Sequence, residues 1–351
     1  MTERLKKQKK IWPFVVMGVV VLALVGISDR LKHRPAPPPF VHEFMIFGTY
    51  GRVTFWAPAQ DAAAAAAEMV QELEALQSAI NTYEADSDIS RLNRTAHEAP
   101  FHCGDRLWNM IAAGRDAYTV SEGAFDISVG PLLKLWGFYG KRQTLPSDEE
   151  IAQAAELTGL DNIIFDPQEK TVLFPKQGMF LDFGGIAKGY ALDLCLDIAE
   201  KHGLSQGMID LGGNIGCLPD PPPGKDTYTI GIRDPAATGE ILETVSMTGL
   251  CVATSGNYER FQVLDGTFIH HIIDPATGWP VPARASVSVI APRGLDTDVF
   301  STAIFVRGDA LAKRFIDQEP RGRALIITAA DSAAEPMTIQ RLNWPAEDRH
   351  P

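Results

Sequence analysis

An uncharged run from Ile11 to Ser28 divides this chain before any other feature does. Its length sits at the lower end of what spans a bilayer, roughly 17–25 residues. Pro13 falls in its first turn, where a missing amide hydrogen costs little. Arg4, Lys6, Lys7, Lys9 and Lys10 precede the run, so the basic end is expected to stay cytoplasmic and the rest to cross. A cleaved signal peptide is the rival reading, but no clean small-x-small cleavage site follows, nor a Cys to carry a lipid. The segment His33-Arg34-Pro35-Ala36-Pro37-Pro38-Pro39 then reads as an extended, semi-rigid spacer. The expected organisation is a cytoplasmic basic tail over 1–10, a transmembrane anchor over 11–28, a proline-rich linker over 29–40 and a domain over 41–351. That domain would stand on the periplasmic face of the inner membrane.

Charge supports the division. The chain has 32 Lys and Arg against 44 Asp and Glu, a net of -12. Residues 1–34 hold eight basic and two acidic residues, which leaves -18 on residues 35–351. Such a body repels phosphate backbones, so nucleic acid is excluded as the main ligand. With 45% hydrophobic and 22% charged residues the body is globular in composition. Cys103, Cys195, Cys217 and Cys251 have no CxxC or zinc spacing. In an exported chain they permit disulfides; equally, they serve as small buried hydrophobes.

Helical and extended patterns alternate along the body. Phe44–Trp56 reads as a strand pair or a bent strand, and Pro58 opens a helix with Met69, Leu73, Leu76 and Ile80 on one stripe. Further helices are expected over Arg106–Glu122, Asp148–Thr158 and Ile186–Lys201, with a last one from about Asp298. Strands are expected at Ile163–Asp166, Thr171–Phe174, Gly207–Leu211, Thr227–Ile232, Glu243–Thr248 and Ala285–Ile290, and a closing strand at Leu325–Thr328. The mixed order, with many hairpin-like connections, predicts an α+β fold of mixed or antiparallel sheets with packed helices.

Several short clusters carry possible chemistry. Leu181–Tyr190 places two glycines between a strand end and a helix start, with Lys188 in the first helical turn. A cation there opposes the macrodipole unless an anion is near, which points to a phosphate; a tight turn with an exposed lysine is the alternative. Asp298 and Thr302 share a helix face and offer two hard oxygens suited to magnesium, or serve only as a helix-start acid and a packed hydroxyl. His271 lies just before the Asp274-Pro275-Ala276-Thr277-Gly278 turn, as a general base, a ligand contact or a solvated imidazole. Gly123–Pro131 with Trp136 and Phe138 offers a turn, a carboxylate and two aromatics, either a wall for a flat heterocycle or core packing.

In order along the chain, Gly48-Thr49, Thr82-Tyr83 with Ser87–Asn93, Gly123–Phe138, Leu181–Asp193, Leu211-Gly212-Gly213-Asn214, Thr254–Arg260, His271–Gly278 and Asp298–Ala303 resemble the ApbE-type FAD:protein FMN transferases. The resemblance covers most of residues 45–310 and implies that family's α+β fold. It also implies FAD as substrate, Mg2+, and transfer of FMN to a Thr or Ser hydroxyl of another protein with release of AMP. Carried over, it places Tyr83, Ala124, Phe125, Asp126, Asp182, Lys188 and Ile272 around FAD, with Phe47 standing where many relatives have Met. Magnesium falls to the Gly185 carbonyl and the side chains of Asp298 and Thr302, and the general base to His271. The implied acceptor is a flavoprotein of a membrane redox complex, an Rnf- or Nqr-type subunit or a NosR-like protein, the last pairing with a NosX-like role here. An FAD-binding or FAD pyrophosphatase protein, or a non-catalytic assembly factor for such a complex, are the alternatives.

Overall fold

The computed structural model describes residues 38–237, 239–282, 284–328 and 337–345. The expected tail and anchor, and nearly all of the linker, lie outside the described residues. Among the described residues no helix is long and apolar enough to cross a membrane.

β1 (Phe40–Ile46) and β2 (Thr49–Phe55) form the expected strand pair. Phe47 and Gly48 close it with φ of 50° and 72°, the left-handed pair that a two-residue hairpin loop demands. α1 (Ala59–Ile80) buries Ala62, Ala65, Ala66, Met69, Leu73 and Leu76 on one face, the alanines allowing close approach. α2 (Asp88–Thr95) starts at Ser87, whose hydroxyl accepts from the Ser90 amide at 3.1 Å. After β3 (Phe101–His102) come α3 (Asp105–Val120) and the short α4 (Gly130–Leu135). α5 (Asp148–Ala155) opens on a reciprocal Ser147–Glu150 capping box. β4 (Ile164–Asp166) and β5 (Thr171–Leu173) join β3 in a small sheet, and α6 (Ala187–Lys201) follows.

The rest is mostly strand: β6 (Gly207–Leu211), β7 (Asn214–Cys217), β8 (Tyr228–Arg233), β9 (Ile241–Met247), β10 (Cys251–Gly256), β11 (Phe261–Leu264), β12 (Thr267–His270) and β13 (Arg284–Ala291). α7 (Gly294–Arg307), α8 (Asp309–Gln318), β14 (Arg323–Thr328) and β15 (Thr338–Leu342) complete the described chain. Eight strands form one sheet in the order β1-β2-β6-β7-β10-β13-β14-β15, every pairing antiparallel. The α+β expectation therefore holds, with antiparallel sheets. The central strands are covered on both faces. Val287 and Val289 of β13 join the helix-side core with residues of α6 and α7, while Leu325 and Ile327 of β14 pack with Tyr228, Ile230 and Val245 of the β8–β9 hairpin. Two-sided burial explains why β13 reads as a nearly continuous buried run rather than an alternating one.

Some boundaries differ from the sequence reading. α7 begins at Gly294, so Asp298 lies in its second turn, and α7 is followed by α8. The local start signal is absent because the cap comes from elsewhere: Asp193 on α6 accepts from Gly294 N at 2.6 Å and Leu295 N at 3.2 Å. Leu325–Thr328 belongs to a strand, but β15 pairs beyond it. α2, α4, β7, β10 and the β11–β12 hairpin were not expected. Thr254–Arg260 reads as an ordinary polar loop, yet its first three residues end β10, which pairs with β7 and β13. All four cysteines are free; Cys195, Cys217 and Cys251 are buried, as small hydrophobes, and Cys103 is half-buried.

Candidate functional site

A cavity of about 720 Å³ opens where the start of α6, the second turn of α7, the β1–β2 loop and the segments around residues 125, 182 and 271 meet. Phe47, Tyr83, Ala124, Phe125, Asp126 and Asp182 line it, and so do Gly185, Lys188, His271, Ile272, Asp298 and Thr302. The fold thus brings together the residues that the family resemblance assigns to FAD, metal and base.

One end is built on the contact between α6 and α7. These helices touch at Gly189, where a methyl group would lie 2.5 Å from both Asp298 Cβ and the Gly294 carbonyl oxygen. The closeness lets Gly189 N donate to Asp298 Oδ2 at 2.8 Å. Asp298 is 6% exposed, and desolvation raises its pKa against the opposing pull of Lys188. On the next turn the Thr302 hydroxyl lies 3.0 Å from that of Ser255, which is 2.9 Å from that of Ser301. Gly185 is close by: a Cβ there would lie 3.9 Å from Thr302 Oγ1 and 3.0 Å from the Phe125 ring. The Lys188 ammonium has no ion-pair or hydrogen-bond partner among the described residues. α6 has no side-chain N-cap, but the Ala187 and Gly189 amides are committed to Phe183 O and Asp298. Among the first three helical amides, only that of Lys188 remains for a bound anion.

The other end is aromatic. Tyr83 is 66% exposed and stacks on Tyr139 at 5.5 Å, and the Arg260 guanidinium donates to its hydroxyl at 2.8 Å. Tyr139 donates to Asp182, whose other carboxylate oxygen accepts from Gly184 N at 2.9 Å. Phe138 meets His271 edge-on at 6.3 Å. Trp136 does not line the cavity: it is fully buried in a satellite core and donates to Gly278 O at 2.8 Å, so of the two expected wall aromatics only Phe138 serves. The Asp126 carboxylate turns inward, Oδ1 accepting from Ser128 N and Oγ at 2.7 and 2.6 Å, and burial raises its pKa. Its side chain holds the 124–126 turn in place.

The two histidines separate cleanly. His270 is buried with Nε2 2.7 Å from Val281 O and Nδ1 accepting from Ile272 N, a structural imidazole. His271 Nδ1 lies 3.1 Å from the Arg260 carbonyl, to which it must donate, leaving Nε2 as an acceptor. Desolvation first, then the Arg260 cation, lower its pKa to about 4, so the ring is neutral near pH 7.

Charge decides what fits. The lining residues include four acids, Asp126, Asp182, Glu259 and Asp298, against two bases, Lys188 and Arg260. Glu259 carries no side-chain hydrogen bond, and burial in the cleft raises its pKa, opposed by Lys188. A pyrophosphate entering such a cavity needs additional cations. Among the described residues no group of three His, Cys, Asp or Glu could hold a metal by itself. One carboxylate, a hydroxyl and a main-chain oxygen suit Mg2+, which completes its shell with water and substrate phosphates. The donor set therefore fits. Sequence reasoning gave no role to Glu259, Arg260, Ser255 and Tyr139; the Thr254–Arg260 match was the available signal for the first three.

The model of the ApbE family matches residues 47–327. The chain belongs to the ApbE family. A FAD:protein FMN transferase of Treponema pallidum is 31% identical over 327 residues, covering 89% of this chain and 90% of the relative. The ApbE protein of Thermotoga maritima superposes with a TM-score of 0.77 at 30% identity, over 87% of this chain and 97% of that one. The Pseudomonas stutzeri flavinyl transferase ApbE, apo form, gives 0.74 at 27%, over 87% and 95%.

Proposed function

We propose that this chain is a Mg2+-dependent FAD:protein FMN transferase that moves FMN from FAD to a Thr or Ser hydroxyl of an exported or membrane electron-transfer protein, releasing AMP. The carrying observation is the α6–α7 junction, where Asp298, Thr302 and Gly185 gather beside Lys188 in a cavity with two more acids than bases. Asp298, Thr302 and the Gly185 carbonyl would hold the ion. When bound, Mg2+ would neutralise charge on the phosphoryl oxygens. Lys188 supplies a fixed cation and one free main-chain amide to the same phosphates.

His271 takes the proton of the acceptor hydroxyl at Nε2, the nitrogen left free by the bond to Arg260 O. The hydroxyl oxygen forms its bond to the FMN phosphorus as the bond from that phosphorus to the bridging oxygen breaks, and AMP leaves. Phe47, Tyr83 and the Ala124–Asp126 turn provide an apolar and aromatic bed for the flavin, with Asp182 and Ile272 beside it. Incubation with FAD, Mg2+ and a candidate acceptor domain, followed by intact mass measurement, tests this. Addition of FMN to the acceptor supports it. Free FMN and AMP with an unmodified acceptor would make the protein an FAD pyrophosphatase, and no FAD turnover would sink both.

The anchor and spacer before the domain motivate the location: single-pass in the inner membrane, with the domain on the periplasmic face. Tethering turns acceptor encounters into a search within a thin layer, which favours a membrane-bound acceptor such as an Rnf- or Nqr-type subunit or a NosR-like protein. Added protease should digest the domain in spheroplasts; full protection there contradicts the topology. Deleting the protein should remove covalent flavin fluorescence from at least one membrane band in denaturing gels. Unchanged fluorescence in every band, in a strain with no second transferase, contradicts the acceptor class.

A further inference from the structure

Asn214 opens β7 immediately after Gly212 and Gly213, whose φ of 61° and 94° form the tight turn from β6. Its side chain is among the most buried polar groups in the protein, 1% exposed. It does not line the cavity; it stands behind Asp298, where α7 packs on β7. The amide faces the Asp298 carboxylate. Even so, Nδ2 has no hydrogen-bond partner of ordinary geometry among the described residues. The two groups lie near each other without a hydrogen bond of ordinary geometry between them.

Buried amides are rarely left this way, and an orphaned donor calls for a reason. Among the described residues the other orphaned side-chain atoms belong to Glu243, Ser286 and Arg323, none of which lines the cavity. Asp298 already has one fixed donor, Gly189 N from α6. Asn214 approaches the same carboxylate from the sheet. A carboxylate that ligates a metal is itself held by hydrogen bonds, and the outer partner sets its orientation.

We propose that Asn214 is the positioning residue for Asp298: its Nδ2 donates to that carboxylate when the carboxylate ligates a divalent cation, and with Gly189 N it fixes the ligand from two sides. The inference rests on the magnesium reading above, and its test separates the two. Free Mn2+ is followed by electron paramagnetic resonance while the full-length protein is titrated, for the wild type, Asp298→Ala, Asn214→Leu and Asn214→Asp. Metal-free melting temperature and metal-free FAD binding are measured alongside.

Asn214→Leu keeps the side chain's shape and removes its polar atoms. It should weaken Mn2+ binding about 10–100-fold. Its metal-free melting temperature should equal or exceed that of the wild type, because an orphaned buried donor is gone. Metal-free FAD binding should not change. Asn214→Asp, which cannot donate, should also bind Mn2+ more weakly; tighter binding would make residue 214 a direct ligand and overturn the positioning role. Unchanged Mn2+ affinity in Asn214→Leu overturns it too. So does a lowered metal-free melting temperature in that variant, which marks a packing residue. If Asn214→Leu does not fold, Asn214→Ser carries the same affinity test. Wild-type Mn2+ affinity in Asp298→Ala would instead remove the magnesium reading itself.

Discussion

Replacing Gly189 with alanine puts one methyl group into the contact between α6 and α7. The added carbon would lie 2.5 Å from Asp298 Cβ, 2.5 Å from the Gly294 carbonyl oxygen and 3.0 Å from the Gly294 carbonyl carbon. None of these atoms can swing aside, since each is main chain or bonded directly to it. Carbon atoms normally settle at roughly 3.5–4 Å, so the helices must separate by about 1 Å. Overpacking of this kind costs about 1–3 kcal/mol and more when backbone must move. Better helix propensity offsets about 1 kcal/mol. A net loss of about 2 kcal/mol should lower the melting temperature by roughly 4–8 °C. The same separation stretches the 2.8 Å bond that holds Asp298. Misplacement by about 1 Å costs on the order of 100-fold in rate, so FMN transfer should fall by about that much. Thermal melts and a mass-based transfer assay measure both, with Gly140→Ala as the control, because a methyl group at Gly140 meets nothing within 4 Å. Wild-type stability and transfer in Gly189→Ala would refute the reasoning about the helix contact.

Asp298→Ala should abolish Mg2+-dependent transfer while leaving a folded protein, since it orphans only the Gly189 amide at about 1–3 kcal/mol; transfer that persists in the variant, or that a chelator leaves unaffected, contradicts the metal site. Asp193→Ala should destabilise by about 0.5–2 kcal/mol through the lost cap on α7, with Asp193→Asn intermediate, as read by denaturant unfolding. The lowered pKa of His271 has a direction: the folded state resists protonation, so its contribution holds above the ordinary 6.5 and is lost as pH falls from there through about 4. The acid limb of the transfer rate should therefore lie near pH 4 rather than 6.5, and a limb at 6.5 that disappears in His271→Ala would contradict the buried, neutral imidazole.

The longer helices α1, α3 and α6 were legible because their signals are local. The Met69–Leu73–Leu76 stripe, the Pro146-Ser147 start signal and the Gly184-Gly185 entry to α6 each state their structure within one or two turns. What escaped was set by distant partners. α7 begins four residues early because its cap, Asp193, lies 101 residues away in sequence from Gly294. β10 is made of Cys, Val, Ala, Thr, Ser and Gly, residues that become a strand there through β7 and β13 on either side. The site followed the same rule. Lys188, Asp298 and His271 could be named from residue type and spacing. The Ser255–Thr302 contact and the donation of Arg260 to Tyr83 join segments 47 and 177 residues apart, and no local pattern encodes them. Trp136 shows the opposite error: a large aromatic beside a turn promised a ligand wall and instead filled the core.

The crossing of α6 and α7 has no side chain at its closest point, and that fixes how the cavity can adapt. The spacing between the two helix backbones at Gly189 is set by main-chain atoms and the Asp298 Cβ, so no rotamer change can widen or narrow it. That main-chain contact is a gauge of constant width, in place before anything enters. Across the cavity the boundary is Tyr83, mostly exposed and steadied by one guanidinium. Long exposed side chains change shape at little cost. The molecule thus divides its tolerance: the boundary at the α6–α7 crossing is held by main chain, and the boundary at Tyr83 and Arg260 is held by side chains that can move.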